Sequence, residues 1–234
     1  MENVSGKKVL ITGGSSGIGK ATAKMLIQHG AIVSITGRDK EKLENVASEI
    51  NAIPIHLDVS KYNSIAVKVL DAFHSMKGID VLINNAGIGE FAKLEDVKIS
   101  QFEKIFSTNV FGLTMLTQEV AKFFKTQQHG SIINIGSSAA TAGFPSGSVY
   151  CASKFALRGL TECWRHELRR ENIRVMLINP SEVTTAFNNK KRLERDNEPK
   201  KLTPDEIAHA IVSAIRMDDR GFIPELNVWA TNPF

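Results

Sequence analysis

Tyr150 and Lys154 stand four residues apart in this chain of 234 residues. In an α-helix, side chains at positions i and i+4 share one face, so the phenol and the ammonium group would be neighbours. A neighbouring positive charge favours the phenolate and should lower the tyrosine pKa from its ordinary value of ~10. Such a pair could donate a proton and take one back near neutral pH. The same spacing also occurs on surface helices that carry no chemistry, so its meaning depends on what the chain places beside it.

A glycine-rich turn follows the first apolar run of the chain. Residues 8–11 (KVLI) lead into residues 12–19 (TGGSSGIG), and an amphipathic helix comes next. In this context of strand, turn and helix, backbone N–H groups and absent side chains accommodate a pyrophosphate. A tight turn without a ligand is the alternative. The residues expected to bind the phosphates are Gly13, Ser15, Ser16, Gly17, Ile18 and Gly19.

The end of the second apolar run, at residues 30–36, bears on the choice of coenzyme. It is followed by Gly37, Arg38 and Asp39. An acid at this place commonly holds the ribose hydroxyls of NAD, whereas an arginine accommodates a 2′-phosphate. Because Arg38 precedes the acid, the sequence favours NADP(H) over NAD(H). In the alternative interpretation, Arg38 is a solvated loop charge and Asp39 caps a helix at residues 40–50.

Two further apolar runs end in residues suited to a ligand. The run at 53–59 ends with an acid that could meet an adenine amino group or cap a helix at about 62–76. The run at 80–83 leads into small and amide side chains, which suit both backbone tethering and close approach of a ligand. Ligands of open parallel sheets bind at the carboxyl ends of the strands. The candidates here are Asp58, Val59, Asn85, Ala86 and Gly87.

The second half of the chain continues the alternation of strands and helices. A long helical pattern at 100–128 contains Asn109 among apolar residues, and a buried amide there must find partners in the core or in a site. Ser137 follows a strand at 131–135 and precedes the tyrosine helix at 149–170.

Residues 186–202 are polar and charged, as in a mobile flap over a pocket. They lie between a strand at 173–178 and a final helix at 203–217, for which Thr203 is the expected cap and Pro204 the first residue. A last strand is expected at 221–228. The whole pattern predicts a single α/β domain over residues 1–234, a doubly wound Rossmann-type fold with a parallel sheet of about seven strands.

Composition and charge argue against several other classes of protein. The net charge is +4, and acids interrupt the densest basic run, at residues 190–201, so we expect no nucleic-acid partner. Cys151 and Cys163 would lie about 18 Å apart along one helix, beyond disulfide reach. The histidines show no metal-ligand spacing. Without a signal region or a long apolar run, we expect a cytoplasmic protein that does not enter a membrane.

Together the motifs resemble the short-chain dehydrogenase/reductase family over nearly the whole chain, and in particular its members that act as 3-oxoacyl-[acyl-carrier-protein] reductases. They occur in the family's order: residues 12–19, residues 84–87 (NNAG), Asn109, Ser137, Tyr150 with Lys154, and Pro180 with Val183 and Thr185.

The resemblance implies hydride transfer between a nicotinamide coenzyme and a carbonyl or an alcohol. Tyr150 would act as general acid in reduction, and Ser137 would donate to the developing oxyanion. Lys154 would lower the tyrosine pKa and hold the nicotinamide ribose. Asn109 would hold a water that links Lys154 to solvent. The segment that contains Pro180, Val183 and Thr185 would secure the nicotinamide.

The substrate stays open at this stage. Family members often have glycine after the proline of the sixth strand, but this chain has Ser181 and Glu182, which puts a carboxylate near the expected substrate mouth. We expect a small-molecule carbonyl or alcohol, such as a 3-oxoacyl thioester, free or carrier-bound. The alternatives are an alcohol, sugar or steroid dehydrogenase, and a regulatory protein that senses NADPH without turnover. Family members pair their long helices between subunits, which implies a homodimer or homotetramer.

Overall fold

Seven parallel strands form one sheet in the computed structural model, which describes residues 3–187, 189 and 193–233. Each short apolar run becomes a strand, as expected for strands that are covered on both faces. In chain order they are β1 (Lys8–Ile11), β2 (Ile32–Gly37), β3 (Ile53–His56), β4 (Val81–Asn84), β5 (Gly130–Ile135), β6 (Ile173–Pro180) and β7 (Glu225–Val228). Their order in the sheet is β3-β2-β1-β4-β5-β6-β7.

Helices connect successive strands and cover both faces of the sheet. They are α1 (Gly17–Gln28), α2 (Lys40–Ile50), α3 (Ile65–Met76), α4 (Ile99–Phe106), α5 (Leu113–Gln127), α6 (Ser148–Leu168) and α7 (Pro204–Ile215). Neighbouring strand residues point to opposite faces, so Val9 and Ile11 pack into one core with α1 and α7, while Leu10 packs into the other with α3 and α5. The predicted doubly wound architecture and the number of strands are confirmed.

One predicted element is wrong. The helix expected over 100–128 is divided into α4 and α5 by a π-helical segment, Ser107–Gly112, which contains Asn109. Segments of this kind are frequent at functional sites. The apolar residues continue through the break, which is why the pattern suggested a single helix.

The starts of β7 and α7 can be compared with the predicted ones. Strand β7 begins only at Glu225, later than the predicted 221. Helix α7 begins as predicted, because Thr203 and Glu206 cap each other's backbone N–H groups and Pro204 follows the cap.

The topology determines where a ligand can bind. Strand β1 lies between β2 and β4, so the chain leaves β1 toward one side of the sheet and later returns to its other side. A crevice forms at such a switch point, outside the carboxyl ends of the strands. The glycine-rich turn follows β1, and Asn85 follows β4, at this crevice. Within the part of the chain that the structure describes, no helix is long and apolar enough to span a membrane.

Candidate active site

The glycine-rich turn packs closely against the segment after β4. Gly13 has a φ of +65°, and a Cβ atom there would lie 2.9 Å from the Cα atom of Ala86. Glycine is therefore required both by the backbone conformation and by the close approach. The N–H of Gly14 donates to the carbonyl of Thr36 (2.9 Å), which joins the turn to the end of β2.

Asn85 holds this arrangement with its side chain. Its amide nitrogen Nδ2 donates to the carbonyls of Thr12 and Gly13, both at 3.0 Å. The hydroxyl of Thr12 in turn accepts the backbone N–H groups of Asn85 and Ala86, also at 3.0 Å. Residues 84–87 are thus tethered to the glycine-rich turn, as expected. Gly87, two residues after Asn85, lies near Lys154, whose Nζ would be 3.8 Å from a Cβ at that glycine.

The first turn of α1 attracts an anion. Ser16, at its N-cap, makes no side-chain capping bond, and the N–H of Gly17 donates to Oε1 of Glu194 at 2.9 Å. Backbone N–H groups at a helix start carry partial positive charge and favour carboxylates and phosphates alike. A carboxylate of the chain therefore stands where a phosphate group is expected. The donor set fits the pyrophosphate of a dinucleotide.

The corner at the end of β2 contains Arg38 and Asp39, whose side chains have different surroundings. Asp39 caps α2, as its Oδ1 accepts the N–H of Lys42 at 3.1 Å, so the capping role expected for Asp39 is confirmed. Arg38 is exposed. Gly37 lies beside Ser15, whose hydroxyl would be 3.1 Å from a Cβ at Gly37. The end of β2 thus lies against the glycine-rich turn, and the exposed Arg38 follows it.

Asp58 does not cap the following helix, which corrects one of its two interpretations. Its Oδ1 accepts the backbone N–H of Ser60 (3.0 Å) and the hydroxyl of Ser60 (2.8 Å), so the carboxylate closes a turn. A short 3₁₀ turn, Tyr62–Ser64, separates it from α3. Val59 is buried in the core.

Ser137, Tyr150 and Lys154 come together at the carboxyl end of β5. A hydrogen bond joins the side chains of Ser137 and Tyr150. Nζ of Lys154 lies 5.8 Å from the centre of the Tyr150 ring and donates to the carbonyl of Ile135 at 2.8 Å. The neighbouring Ser138 begins a 3₁₀ turn that Ser137 caps. The serine that reaches Tyr150 is thus the one expected from the sequence.

The expected lowering of the Tyr150 pKa is wrong for this arrangement. Burial raises the pKa of Tyr150 to about 12, and the hydrogen bond from Ser137 offsets this effect only in part. Burial also lowers the pKa of Lys154 to about 8. Both groups lose hydration, which penalises the charged form of each. The phenol is therefore neutral at pH 7, and the lysine is the group that titrates near neutrality.

Asn109 binds the backbone of the loop after β4. Its Oδ1 accepts the N–H of Ile88 at 2.9 Å, and its Nδ2 donates to the carbonyl of Ile88 (2.9 Å) and to the hydroxyl of Ser153 (3.1 Å). The amide is buried and satisfied. A Cβ at Gly87 would lie 3.5 Å from Oδ1 of Asn109 and 3.8 Å from Nζ of Lys154, so both side chains border Gly87.

The segment after β6 folds over the glycine-rich turn. Pro180 pairs with Val228 in the sheet, and Val183 forms an isolated bridge with Leu202. The side-chain methyl of Thr185 lies 3.0 Å from where a Cβ of Gly17 would be. Four of the predicted flap residues, Asn188, Lys190, Lys191 and Arg192, lie outside the described residues.

Glu182 forms ion pairs with residues of the same segment. Its carboxylate pairs with Lys201 at 3.0 Å and with Arg195 at 3.4 Å. Arg195 also donates to the carbonyls of Val183 (2.9 Å) and Thr185 (3.1 Å). The unusual acid after Pro180 thus helps to hold the segment in place.

Sequence reasoning missed three groups of residues at the site. Asn179 accepts the N–H of Ser137 (3.3 Å) and donates to Asn227 and Glu225, so it positions the serine. The sequence could have indicated this role, because Asn179 is a polar residue near the end of the apolar strand β6. Glu194 and Arg195 carry no local signal within a charged segment. The third group, described below, consists of phenylalanines that are far apart in the sequence.

Comparison with known proteins identifies the family. Residues 7–196 match the family model described as short chain dehydrogenase. The NADP-dependent 3-hydroxy acid dehydrogenase of Schizosaccharomyces pombe is 32% identical, over 99% of this chain and 95% of that protein. The chain therefore belongs to the short-chain dehydrogenase family and is an oxidoreductase, which confirms the resemblance.

Solved structures of similar proteins contain nicotinamide coenzymes. An alcohol dehydrogenase from the archaeon Thermococcus sibiricus, complexed with 5-hydroxy-NADP, has a TM-score of 0.89 at 26% identity, over 96% of this chain and 97% of that chain. A 3-ketoacyl-(acyl-carrier-protein) reductase from Brucella melitensis, complexed with NADH, has the same TM-score at 30% identity, over 99% and 100% of the two chains. The relatives thus include proteins with either coenzyme.

Proposed function

We propose that residues 1–234 form a single catalytic domain, which reduces a carbonyl compound to an alcohol with NADP(H). The observation that carries the proposal is the contact of the Ser137 and Tyr150 side chains beside the buried Lys154, next to a turn that binds an anion. A coenzyme bound along that turn supplies the hydride.

Tyr150 supplies the proton in this reduction. With a pKa of about 12 the phenol is protonated at neutral pH, so its hydroxyl can donate to the carbonyl oxygen while the carbon is reduced. Ser137 donates a second hydrogen bond to the same oxygen as negative charge develops there. The ammonium group of Lys154 stabilises the phenolate that the proton transfer leaves.

Asn109 supports the return of the proton. Its Oδ1 and Nζ of Lys154 both border Gly87. A water between them would connect the lysine to solvent and allow the phenolate to regain its proton. Thr185, beside Gly17 of the glycine-rich turn, and Val183, two residues before it, would hold the nicotinamide end of the coenzyme.

The preference for NADP(H) rests on the corner after β2. Asp39 uses its carboxylate to cap α2, which leaves it less available to ribose hydroxyls. Arg38 is exposed beside this corner, and its guanidinium group can bind a 2′-phosphate.

The similarity to known proteins also bears on the substrate of this reaction. A 3-oxoacyl thioester, free or carrier-bound, agrees with the similarity to the Brucella reductase. An alcohol, sugar or steroid dehydrogenase is the alternative. We further propose a cytoplasmic homodimer or homotetramer. Exposed apolar side chains on and between the long helices would be buried by a second copy: Ile99, Phe102, Phe111, Met115 and Phe155.

A panel of carbonyl compounds with both coenzymes tests the proposal. We expect NADPH oxidation with at least one 3-oxo ester or thioester, and its loss in Tyr150→Phe although NADPH still binds. Ser138→Ala is the matched control and should keep its activity. NADPH binding without turnover of any compound in the panel would instead support a regulatory protein that senses the coenzyme.

A further inference from the structure

Three phenylalanines from separate loops form a cluster beside Tyr150. The ring centres of Phe91 and Phe187 lie 5.7 Å and 5.5 Å from that of Tyr150, and Phe144 lies 5.7 Å from Phe91. Tyr150 itself is buried, but the three phenylalanines are 38–46% exposed. They therefore present an apolar surface to the space beside the phenol.

This aromatic wall, formed by Phe91, Phe144 and Phe187, is closely supported by the backbone. A Cβ at Gly89 would lie 2.7 Å from Cζ of Phe187 and 3.3 Å from Cζ of Phe91. The N–H of Ala92 donates to the carbonyl of Ser146 at 3.0 Å, which joins the loops that carry Phe91 and Phe144. Several segments thus hold the rings in one arrangement.

Two charged side chains next to this wall, among the residues that the structure describes, already have partners. Glu90, which precedes Phe91 in the chain, pairs with Lys104. Lys154 donates to the carbonyl of Ile135. A substrate carboxylate next to the rings would lose hydration without gaining an ion pair from these lysines, whereas an apolar group would be buried favourably.

We propose that the aromatic wall selects carbonyl compounds whose reacting carbon carries a bulky apolar ring or chain rather than a carboxylate-bearing group. This inference rests on the proposed function and names its substrate class. The carbonyl oxygen would meet Tyr150 and Ser137, and the apolar substituent would pack against the rings of Phe91 and Phe144.

Three substrates that share a carbonyl test this proposal. Ethyl 3-oxo-4-phenylbutanoate carries an additional phenyl group compared with ethyl acetoacetate, and acetoacetate itself is ionised. In the unaltered enzyme we expect kcat/KM to be at least about tenfold higher for the phenyl ester than for ethyl acetoacetate, and lowest for acetoacetate.

Phe91→Ala should lower kcat/KM for the phenyl ester by about tenfold or more and change that for ethyl acetoacetate by less than about threefold. Phe91→Leu should recover part of the loss, and the affinity for NADPH should stay the same in both variants. Equal losses for the two esters, or a preference for acetoacetate, would overturn the proposal. No turnover of any carbonyl would instead refute the proposed function on which it rests.

A different observation carries a second inference, which concerns Glu194. Its two carboxylate oxygens accept the N–H groups of Gly17 and Ala186, each at 2.9 Å. Gly17 is the first residue of α1, and Ala186 belongs to the segment after β6. The carboxylate therefore joins this segment to the phosphate-binding turn, and the adjacent Arg195 holds the segment through the carbonyls of Val183 and Thr185.

We infer that Glu194 is an internal competitor of the coenzyme's phosphates. A pyrophosphate at the start of α1 would require the N–H of Gly17 that Glu194 occupies, and two anions would repel each other there. Coenzyme binding must therefore release this contact, and the cost of release lowers the observed affinity.

Glu194→Gln and Asp196→Asn remove the same charge from the same exposed segment, but only Glu194 contacts the turn. We expect Glu194→Gln to tighten NADPH binding by about three- to tenfold, because a neutral amide binds the helix N-terminus more weakly than a carboxylate and does not repel the phosphates. Asp196→Asn should change the affinity by less than about twofold.

Adenosine 2′-monophosphate separates this competition from general electrostatics, because it lacks the pyrophosphate. Its affinity should be the same in the unaltered protein and in Glu194→Gln, as measured by calorimetry. Weaker or unchanged NADPH binding in Glu194→Gln, or an equal gain for adenosine 2′-monophosphate, would overturn the inference. Failure of the unaltered protein to bind NADPH would refute the proposed function.

Discussion

The buried ammonium group of Lys154 makes the stability of the protein depend on pH in a distinctive way. Burial lowers the lysine pKa from 10.5 to about 8 in the folded chain. Between these two values the unfolded chain binds more protons than the folded chain, so stability must rise as the pH rises. A tenfold change in proton affinity is worth about 1.4 kcal/mol, so the gain between pH 8 and 10.5 is about 3 kcal/mol.

Urea unfolding of the unaltered protein and of Lys154→Met at a series of pH values measures this gain. The variant lacks the ionisable group, so the difference between the two free energies of unfolding isolates the lysine from all other titrations. We expect this difference to shift by about 3 kcal/mol in favour of the unaltered protein from about pH 7 to pH 10.5. Lys61→Met, at an exposed lysine, should give a curve parallel to that of the unaltered protein. Parallel curves for Lys154→Met would refute the conclusion that burial controls this group.

Three further predictions concern rate, coenzyme and core. The rate of carbonyl reduction should fall as the pH rises through about 8, because Lys154 loses its charge there, and a pH profile flat to pH 10 would contradict this. Arg38→Ala should weaken NADPH binding by about tenfold or more and NADH binding by less than about twofold; equal losses in titrations with both coenzymes would mean that Arg38 does not bind the 2′-phosphate. Asn134→Ala should lower the free energy of unfolding by about 3 kcal/mol in urea, because Asn134 bonds Asn84 and Thr161 in the buried core at 2.8 Å each, and a loss below about 1 kcal/mol would contradict this.

The parts of the site that depend on backbone shape could be predicted from the sequence. The turn at residues 12–19 needs glycine because Gly13 adopts a positive φ against Ala86. The apolar runs become strands because both faces of a parallel sheet are buried. The spacing of Tyr150 and Lys154 places both side chains on one face of α6, as the helical period requires.

Other features depend on contacts between distant segments, which no local pattern contains. The pKa of Tyr150 rises because the fold buries the phenol, and a sequence shows the charge of Lys154 but not its loss of hydration. The wall beside Tyr150 joins Phe91, Phe144 and Phe187 from three loops. The π-helical segment at Asn109 is hidden because its apolar residues continue the pattern of the flanking helices.

Transfer of deuterium from labelled coenzyme tests the central claim most directly. The account holds that a hydride passes to the carbonyl carbon at the site where Tyr150 donates the proton. With NADPH that carries deuterium at both positions of the reactive nicotinamide carbon, a 3-oxo ester should yield an alcohol with one deuterium on its carbinol carbon. Tyr150→Phe should bind the coenzyme with nearly unchanged affinity and form this alcohol at least about 100-fold more slowly. An unlabelled alcohol, or an undiminished rate in Tyr150→Phe, would contradict the account.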